Sequence, residues 1–268
     1  MDDLSYVDLA AMRHLTAGLS FDVEGCAGVL DHALVSLNET TGFPDQMCAW
    51  VRAGAFASGS GPYVGLPRIV IDVTETTDAK GGQAYFAMVL RSHEPESAPV
   101  VHLSMRSPTL DIPIRVEVPL RALLLGGPSL QGAYTLYLHA LITDRGDDYL
   151  YYGITRRGWS IRFNEHTRAA VAQKSKRLLA KTLDDLIRAR VAERMGVVDS
   201  KPKLAGLVTA LCSVGMTRED ALFHEERMVE KYSLASKHPF GLNMIPGGEA
   251  GIAQAQRFRT RRAPSARA

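Results

Sequence analysis

Apolar residues recur at intervals of three or four over the first fifty positions, a period that predicts helices with one apolar face. The period changes after a Gly- and Ser-rich stretch over 54–65, which predicts a loop. Short β-prone runs follow, separated by turn-forming residues, and together they predict an antiparallel sheet. These runs span 69–73, 84–90, 100–105 and 112–118.

The second half of the chain begins with two β-prone runs, 134–142 and 149–155, separated by an Asp- and Gly-rich turn. Two such runs across a short turn predict a hairpin. Helical spacing of apolar residues follows over about 160–195, with a break allowed within it. The apolar run 207–214 then predicts a buried strand, and Thr217 has the position of a helix N-cap. The order β-β-α-β-α indicates an α+β fold.

A domain boundary is predicted at Gly126–Pro128, where turn residues end the strand-rich region. Residues 1–129 would form an N-terminal α+β domain of helices followed by strands, to which the sequence assigns no chemistry. Residues 130–250 would form a second α+β domain, with a small three-stranded mixed or antiparallel sheet flanked by helices. Within it, about 167–200 would be a helical, basic insertion. Residues 251–268 carry arginines and no acidic residue, which predicts a disordered basic tail.

Composition is that of an ordinary folded protein, with 46% hydrophobic and 22% charged residues and a net charge of +2. The sequence contains no apolar run long enough to cross a membrane. The acidic start Met1–Asp3 lacks the basic and apolar regions of a signal peptide, so we expect a cytoplasmic protein with no membrane partner. Its three widely spaced cysteines lack the close pairing of a zinc site.

The second half of the chain contains the kinds of polar side chain that a phosphodiesterase site needs. Hydrolysis of a phosphodiester needs activated water, a cation beside the phosphate oxygens and usually a carboxylate that holds a metal. Tyr137 and Tyr151 lie on the two strands of the hairpin. Arg162 and His166, four positions apart, share one face of the helix that follows. Glu225 lies on the last predicted helix, so each part of the chemistry has a candidate residue.

The order and spacing of these residues resemble the GIY-YIG nuclease family over about 132–250. The hairpin segments 135–137 and 151–155 resemble the two motifs that give the family its name. Glu225, with apolar residues four positions before and after it, resembles the family's metal-binding helix. Asn243 and the glycines that follow it resemble the segment that closes the domain.

The resemblance implies a metal-dependent endonuclease that hydrolyses phosphodiester bonds in nucleic acid, with DNA as the expected substrate. Tyr137 and Tyr151 would flank the attacking water, and either could be the general base. Arg162 would hold the scissile phosphate, and His166 would orient a tyrosine or contact phosphate. Glu225 would hold one divalent cation, Mg²⁺ or Mn²⁺.

Gly153 and Asn243 are implied as structural support rather than as reacting groups. The sequence departs from the family pattern at Thr135, where the family has its first glycine. Each key residue also has a similar neighbour, because Tyr152 could replace Tyr151 in the site. Glu226 could likewise replace the glutamate before it, although helical spacing favours Glu225.

Basic residues in two regions could contact the phosphate backbone of nucleic acid without reading its sequence. Seven basic and two acidic residues lie between Arg168 and Arg190, and arginines dominate the end of the chain. Solvated surface is the alternative interpretation of both regions. The residues predicted to bind nucleic acid are Lys174, Lys176, Arg177, Lys181, Arg257, Arg259, Arg261 and Arg262.

Two other functions remain open from the sequence. The chain could be a catalytically weak or inactive GIY-YIG-like module that only binds nucleic acid. It could also be a scaffold in which the resemblance is fortuitous. For the nuclease, a homodimer or a partner protein bound through residues 1–129 is possible, since one active site cuts only one strand.

Overall fold

The computed structural model describes residues 4–19, 22–54, 67–77, 80–95, 98–173, 175–197 and 200–262. The fold is α+β, with a seven-stranded mixed sheet and helices. The predicted loop over 54–65 lies outside the described residues except for its first position. Among the described helices, none has both the length and the apolar composition that crossing a membrane requires.

Three helices open the chain, as the spacing of apolar residues predicts. Asp8 and Asp22 cap the first two, because each side chain accepts hydrogen bonds from backbone N–H groups of the first turn. Gly42 ends the second helix in the left-handed conformation, at φ 64°. The apolar faces pack on the sheet, where Leu30 and Val101 are fully buried in one core. The helices are α1 (Leu9–Thr16), α2 (Val23–Thr41) and α3 (Phe43–Arg52).

All seven strands join one sheet in the order β2-β1-β3-β4-β7-β5-β6. The predicted strands of the first half are confirmed, but their purely antiparallel arrangement is wrong, because β1 and β3 run parallel. A run of β-prone residues does not say on which side of an earlier strand it will pair. The strands are β1 (Pro67–Thr77), β2 (Gln83–Pro95), β3 (Val100–Arg106), β4 (Pro113–Pro119), β5 (Tyr134–Thr143), β6 (Tyr149–Thr155) and β7 (Leu204–Met216).

The separate three-stranded sheet predicted for the second half is not found. Strands β6, β5 and β7 are antiparallel neighbours, but β7 also pairs in parallel with β4 from Ile114↔Leu207 to Glu117↔Ala210. Tyr137 moreover belongs to the same core cluster as the residues of the N-terminal helices. The sheet therefore continues across the predicted domain boundary, and division into two domains stays a prediction.

Four more helices surround the second half of the sheet. The N-cap predicted at Thr217 is confirmed, since its side chain accepts a hydrogen bond from the N–H of Asp220. The predicted disordered tail is wrong over 251–262, which continues as helix; its Ala, Gln and Arg residues have high helix propensity. The helices are α4 (Trp159–Val171), α5 (Leu178–Arg194), α6 (Arg218–Met228) and α7 (Gly248–Arg262), with a π-helical turn at Val229–Ser233.

Candidate functional site

The register of the β5–β6 hairpin brings the two tyrosines to the same face of the sheet. Tyr137 lies opposite Gly153, and His139 lies opposite Tyr151. Opposed residues of antiparallel strands project from one face, as do residues two apart along a strand. The rings of Tyr137 and Tyr151 are accordingly neighbours, with centroids 6.4 Å apart.

Helix α4 covers this face and contributes Arg162 and His166. The His166 ring lies edge-on to Tyr151 with centroids 5.1 Å apart, and the Arg162 charge acts on both tyrosines. The start of the helix is anchored by Trp159, whose indole N–H donates to the carbonyl oxygen of Leu15 at 2.7 Å. The N-terminal half of the chain therefore helps to fix the helix that carries the cationic residues.

Glu225, on α6, approaches the same group of residues at the edge of β6. Its Oε2 accepts a hydrogen bond from the N–H of Gly248 at 3.0 Å, and the N–H of Ile154 also faces the carboxylate. Burial raises the pKa of Glu225, and these two N–H groups and Arg162 oppose that rise. Gly247 permits the close approach, because a Cβ atom there would stand 2.7 Å from the backbone of Glu225.

The neighbours that could have replaced the key residues lie elsewhere. Tyr152 projects from the opposite face of the sheet, where it packs with Leu136 and Val229. Glu226 is exposed on α6. The structure thus brings Tyr151 and Glu225, rather than these neighbours, toward Arg162.

Burial controls the ionisation of the side chains in the site. Tyr137 is completely buried, and its burial raises the pKa of its phenol, with the nearby Tyr151 adding to the rise. Burial also raises the pKa of Tyr151, whereas Arg162 lowers it. Burial and the charge of Arg162 lower the pKa of His166 to about 4. At neutral pH both phenols are therefore protonated and His166 is uncharged.

Arg162 is balanced by an acidic partner on its own helix. Its guanidinium forms an ion pair with Glu165, three positions further on. The other carboxylate oxygen of Glu165 lies 2.9 Å from Arg157 Nη1. Glu165 thus orients the guanidinium and also competes with any phosphate for it, a role that the sequence did not indicate.

Asn243 braces strand β6 from the side. Its amide nitrogen donates to the carbonyl oxygen of Tyr152 at 2.8 Å, and its Oδ1 accepts from the N–H of the same residue at 3.1 Å. The hydroxyl of Ser233 donates to the same Oδ1 at 2.7 Å. Through these bonds Asn243 fixes the backbone of Tyr152, between Tyr151 and Gly153.

His139 belongs to the site, although the sequence gave reason only to regard it as structural. Its ring centroid is 4.6 Å from that of Tyr137, and its Nδ1 lies 3.0 Å from Thr209 Oγ1. The signal that could have found it is the strand period of two, which places His139 on the face of Tyr137.

The basic residues predicted to bind nucleic acid differ in their distance from this site. Lys176, Arg177 and Lys181 are exposed at the N-terminal end of α5, and the charge of Arg177 lowers the pKa of both Tyr151 and His166. Lys174 lies outside the described residues. The remaining four lie on α7: Arg257, which is exposed, Arg259, Arg261 and Arg262.

The donor set is compatible with a magnesium ion held by one protein ligand. In the described part of the chain, no three His, Cys, Asp or Glu side chains form a metal-binding group. Mg²⁺ in phosphoryl-transfer sites is commonly held by one or two carboxylates and otherwise by water and phosphate. The single carboxylate of Glu225 meets that requirement.

Comparison of the chain with models of protein families, with curated proteins and with solved structures found no match.

Proposed function

We propose that this protein is a metal-dependent endonuclease of the GIY-YIG type that hydrolyses phosphodiester bonds, with DNA as its substrate. The observation that carries the proposal is the convergence of five side chains from four separate elements. They are Tyr137 on β5, Tyr151 on β6, Arg162 and His166 on α4, and Glu225 on α6.

Arg162 is the group suited to hold the scissile phosphate. A guanidinium offers parallel N–H donors that match two phosphate oxygens. The Arg162 side chain retains 29% of its exposure, so a ligand can reach it, and Glu165 fixes its direction. Arg177, exposed close to Tyr151, would contact the strand beside the cut.

Tyr151 is the tyrosine to which we assign the attacking water. Tyr137 is fully buried, whereas Tyr151 keeps part of its surface exposed. The neutral imidazole of His166 lies edge-on to Tyr151 and would orient its phenol. The nearby charge of Arg162 favours the ionised phenol, which can take a proton from water. Tyr137, which is buried, would then keep the other side chains of the site in position.

Glu225 would hold the divalent cation, Mg²⁺ or Mn²⁺. When bound, such an ion offsets negative charge on the phosphate and on the leaving oxygen. The carboxylate is oriented by the N–H groups of Gly248 and Ile154. Each carboxylate oxygen has more than one lone pair, so the group can still bind a cation.

Plasmid nicking by the purified chain, with Mg²⁺ or with a chelator, tests the proposal. The decisive variant is Glu225→Gln, which keeps the shape of the side chain and removes its charge. The matched control is Glu226→Gln on the exposed neighbour. We expect cutting that needs Mg²⁺, is lost in Glu225→Gln and persists in Glu226→Gln. Equal cutting by all three proteins would show that the nuclease activity does not come from this site.

A module that binds nucleic acid without cutting it is the second candidate. It is favoured by the ion pair of Arg162 with Glu165 and by the complete burial of Tyr137. Salt-dependent DNA binding, with no cutting in either Mg²⁺ or Mn²⁺, would support it.

Sedimentation of the chain with and without DNA would test the homodimer expected for a double-strand cut.

A further inference from the structure

Buried polar atoms without hydrogen-bond partners are concentrated in the candidate site. The described part of the chain has four such side-chain atoms, and three of them are Tyr137 Oη, His139 Nε2 and His166 Nε2. Folded proteins rarely keep a buried polar group unpaired, because its lost hydration is not compensated. The Arg162 guanidinium also lies within reach of the Tyr137 oxygen, so the hydroxyl hydrogen of Tyr137 and the two imidazole nitrogens are the groups of this cluster that are left to be paired.

His139 occupies the centre of this cluster. It is 1% exposed, and its ring lies 4.6 Å from Tyr137, 5.0 Å from Phe163 and 6.2 Å from His166, measured between centroids. Strand register places Thr209 of β7 directly opposite, and Thr209 Oγ1 lies 3.0 Å from His139 Nδ1. The ring is thus fixed on its Nδ1 side and unpaired on its Nε2 side.

The bond to Thr209 bears on which nitrogen carries the proton. A neutral imidazole has one N–H, and its place is set by the partner of the ring. If the hydroxyl of Thr209 accepts from Nδ1–H, Nε2 keeps a lone pair within the site. Burial, together with the nearby His166 and the charge of Arg162, lowers the pKa of His139, which keeps the ring neutral.

We propose that His139 is a positioning residue of the reaction. Its Nδ1–H donates to Thr209, and its Nε2 accepts a hydrogen bond from the hydroxyl of Tyr137 once substrate is bound. That bond fixes the direction of the Tyr137 hydroxyl, whose oxygen lies beside Arg162 and whose ring neighbours Tyr151, and so keeps both of those side chains in position. The inference rests on the proposed nuclease function and assigns a role to a residue outside its catalytic set.

Two substitutions separate the nitrogens of His139. Asparagine places its amide near the Nδ1 position and can keep the bond to Thr209, whereas glutamine reaches the Nε2 position. We expect His139→Gln to retain most of the wild-type kcat and His139→Asn to lose about tenfold, the effect of one hydrogen bond. KM and DNA affinity should stay unchanged in both. A kcat in His139→Asn equal to or above that of His139→Gln would overturn the proposal.

A third variant leaves the ring in place. Thr209→Val removes the hydroxyl that holds Nδ1–H, and we expect kcat to fall by about tenfold with DNA affinity retained. Unchanged kcat in folded Thr209→Val would contradict the proposed orientation of the ring. Melting temperatures of all three variants identify any that fail to fold.

Nitrogen NMR of histidine-labelled wild-type protein tests the tautomer without any cutting assay. The expected result is a neutral His139 with its proton on Nδ1. A proton on Nε2 would overturn the proposal, even if all the variants misfold. Failure of the wild-type chain to cut DNA would count against the nuclease function, whereas the tautomer would still decide the role of His139.

Discussion

A Cβ atom on Gly153 would stand 2.6 Å from the hydroxyl oxygen of Tyr137. The two residues lie opposite each other in the β5–β6 register, so the phenol lies across the glycine backbone. Gly153 therefore has a physical purpose in this protein. It makes room for the buried phenol of Tyr137.

We expect Gly153→Ala to destabilise the protein by about 1–3 kcal/mol, the usual cost of an extra methyl group in a packed core. It should also displace Tyr137 and reduce cutting. Urea unfolding and the nicking assay measure the two effects. Gly28→Ala in α2 is the control, since a Cβ there would meet no atom within 4 Å. That control should keep or slightly raise stability; equal losses in both variants would contradict the packing argument.

Local periodicity predicted most of the helices and strands. Helical spacing favoured Glu225 over Glu226, and in the structure Glu226 is the more exposed of the two. The same reasoning applied at period two would have placed His139 beside Tyr137. The position of His139 on the face of Tyr137 was therefore predictable from the sequence, but a single histidine in a strand belongs to no motif that would indicate a role for it.

The sheet order depended on contacts that local patterns do not encode. The parallel pairing of β4 with β7 joins residues about ninety positions apart, so no turn motif or residue spacing predicts it. Glu165 stands three positions after Arg162, a spacing that favours an ion pair on a helix, but that pair was not predicted from the sequence. The α7 helix was missed because its arginines, which favour helix, also resemble a disordered basic tail.

Replacing Asn243 should loosen the edge of β6. We expect Asn243→Ala to lower the free energy of unfolding by about 1–3 kcal/mol, because the backbone groups of Tyr152 lose both partners. Asn243→Asp keeps the acceptor but sets a buried carboxylate oxygen against the carbonyl oxygen of Tyr152, so its loss should be at least as large. Urea unfolding measures both variants. An aspartate variant as stable as the wild type would argue against the hydrogen bond from the Asn243 amide to Tyr152.

His166 should make stability depend on pH. Burial lowers its pKa from 6.5 to about 4 in the folded protein, so the folded state binds fewer protons than the unfolded chain between these values. Its contribution is fully present above pH 6.5 and is lost as the pH falls toward 4, with a limit of about 3 kcal/mol. Measuring the free energies of unfolding of wild type and His166→Gln over that pH range isolates the contribution of His166. Parallel pH profiles for the two proteins would contradict it.

Arg177 and Lys181 should contribute differently to nucleic-acid binding, although both are exposed at the start of α5. We expect either alanine variant to reduce the slope of log affinity against log salt by about 0.9, the value for one phosphate contact. Only Arg177→Ala should also reduce kcat, because the charge of Arg177 acts on Tyr151 and His166. Fluorescence anisotropy at several salt concentrations gives the slopes. A kcat loss in Lys181→Ala as large as that in Arg177→Ala would show that the difference in position has no consequence.

Glu165→Gln should separate binding from cutting at Arg162. Without the carboxylate, the guanidinium is free to pair with phosphate, and DNA affinity should rise by about two- to fivefold, the range of a partly exposed ion pair. The cutting rate should fall, because the guanidinium loses the partner that directs it toward the tyrosines. Arg157→Gln removes the other partner of Glu165 and leaves the Arg162 pair, so it serves as the control and should not tighten binding. Weaker binding in Glu165→Gln would mean that Glu165 supports the phosphate site rather than competing with it.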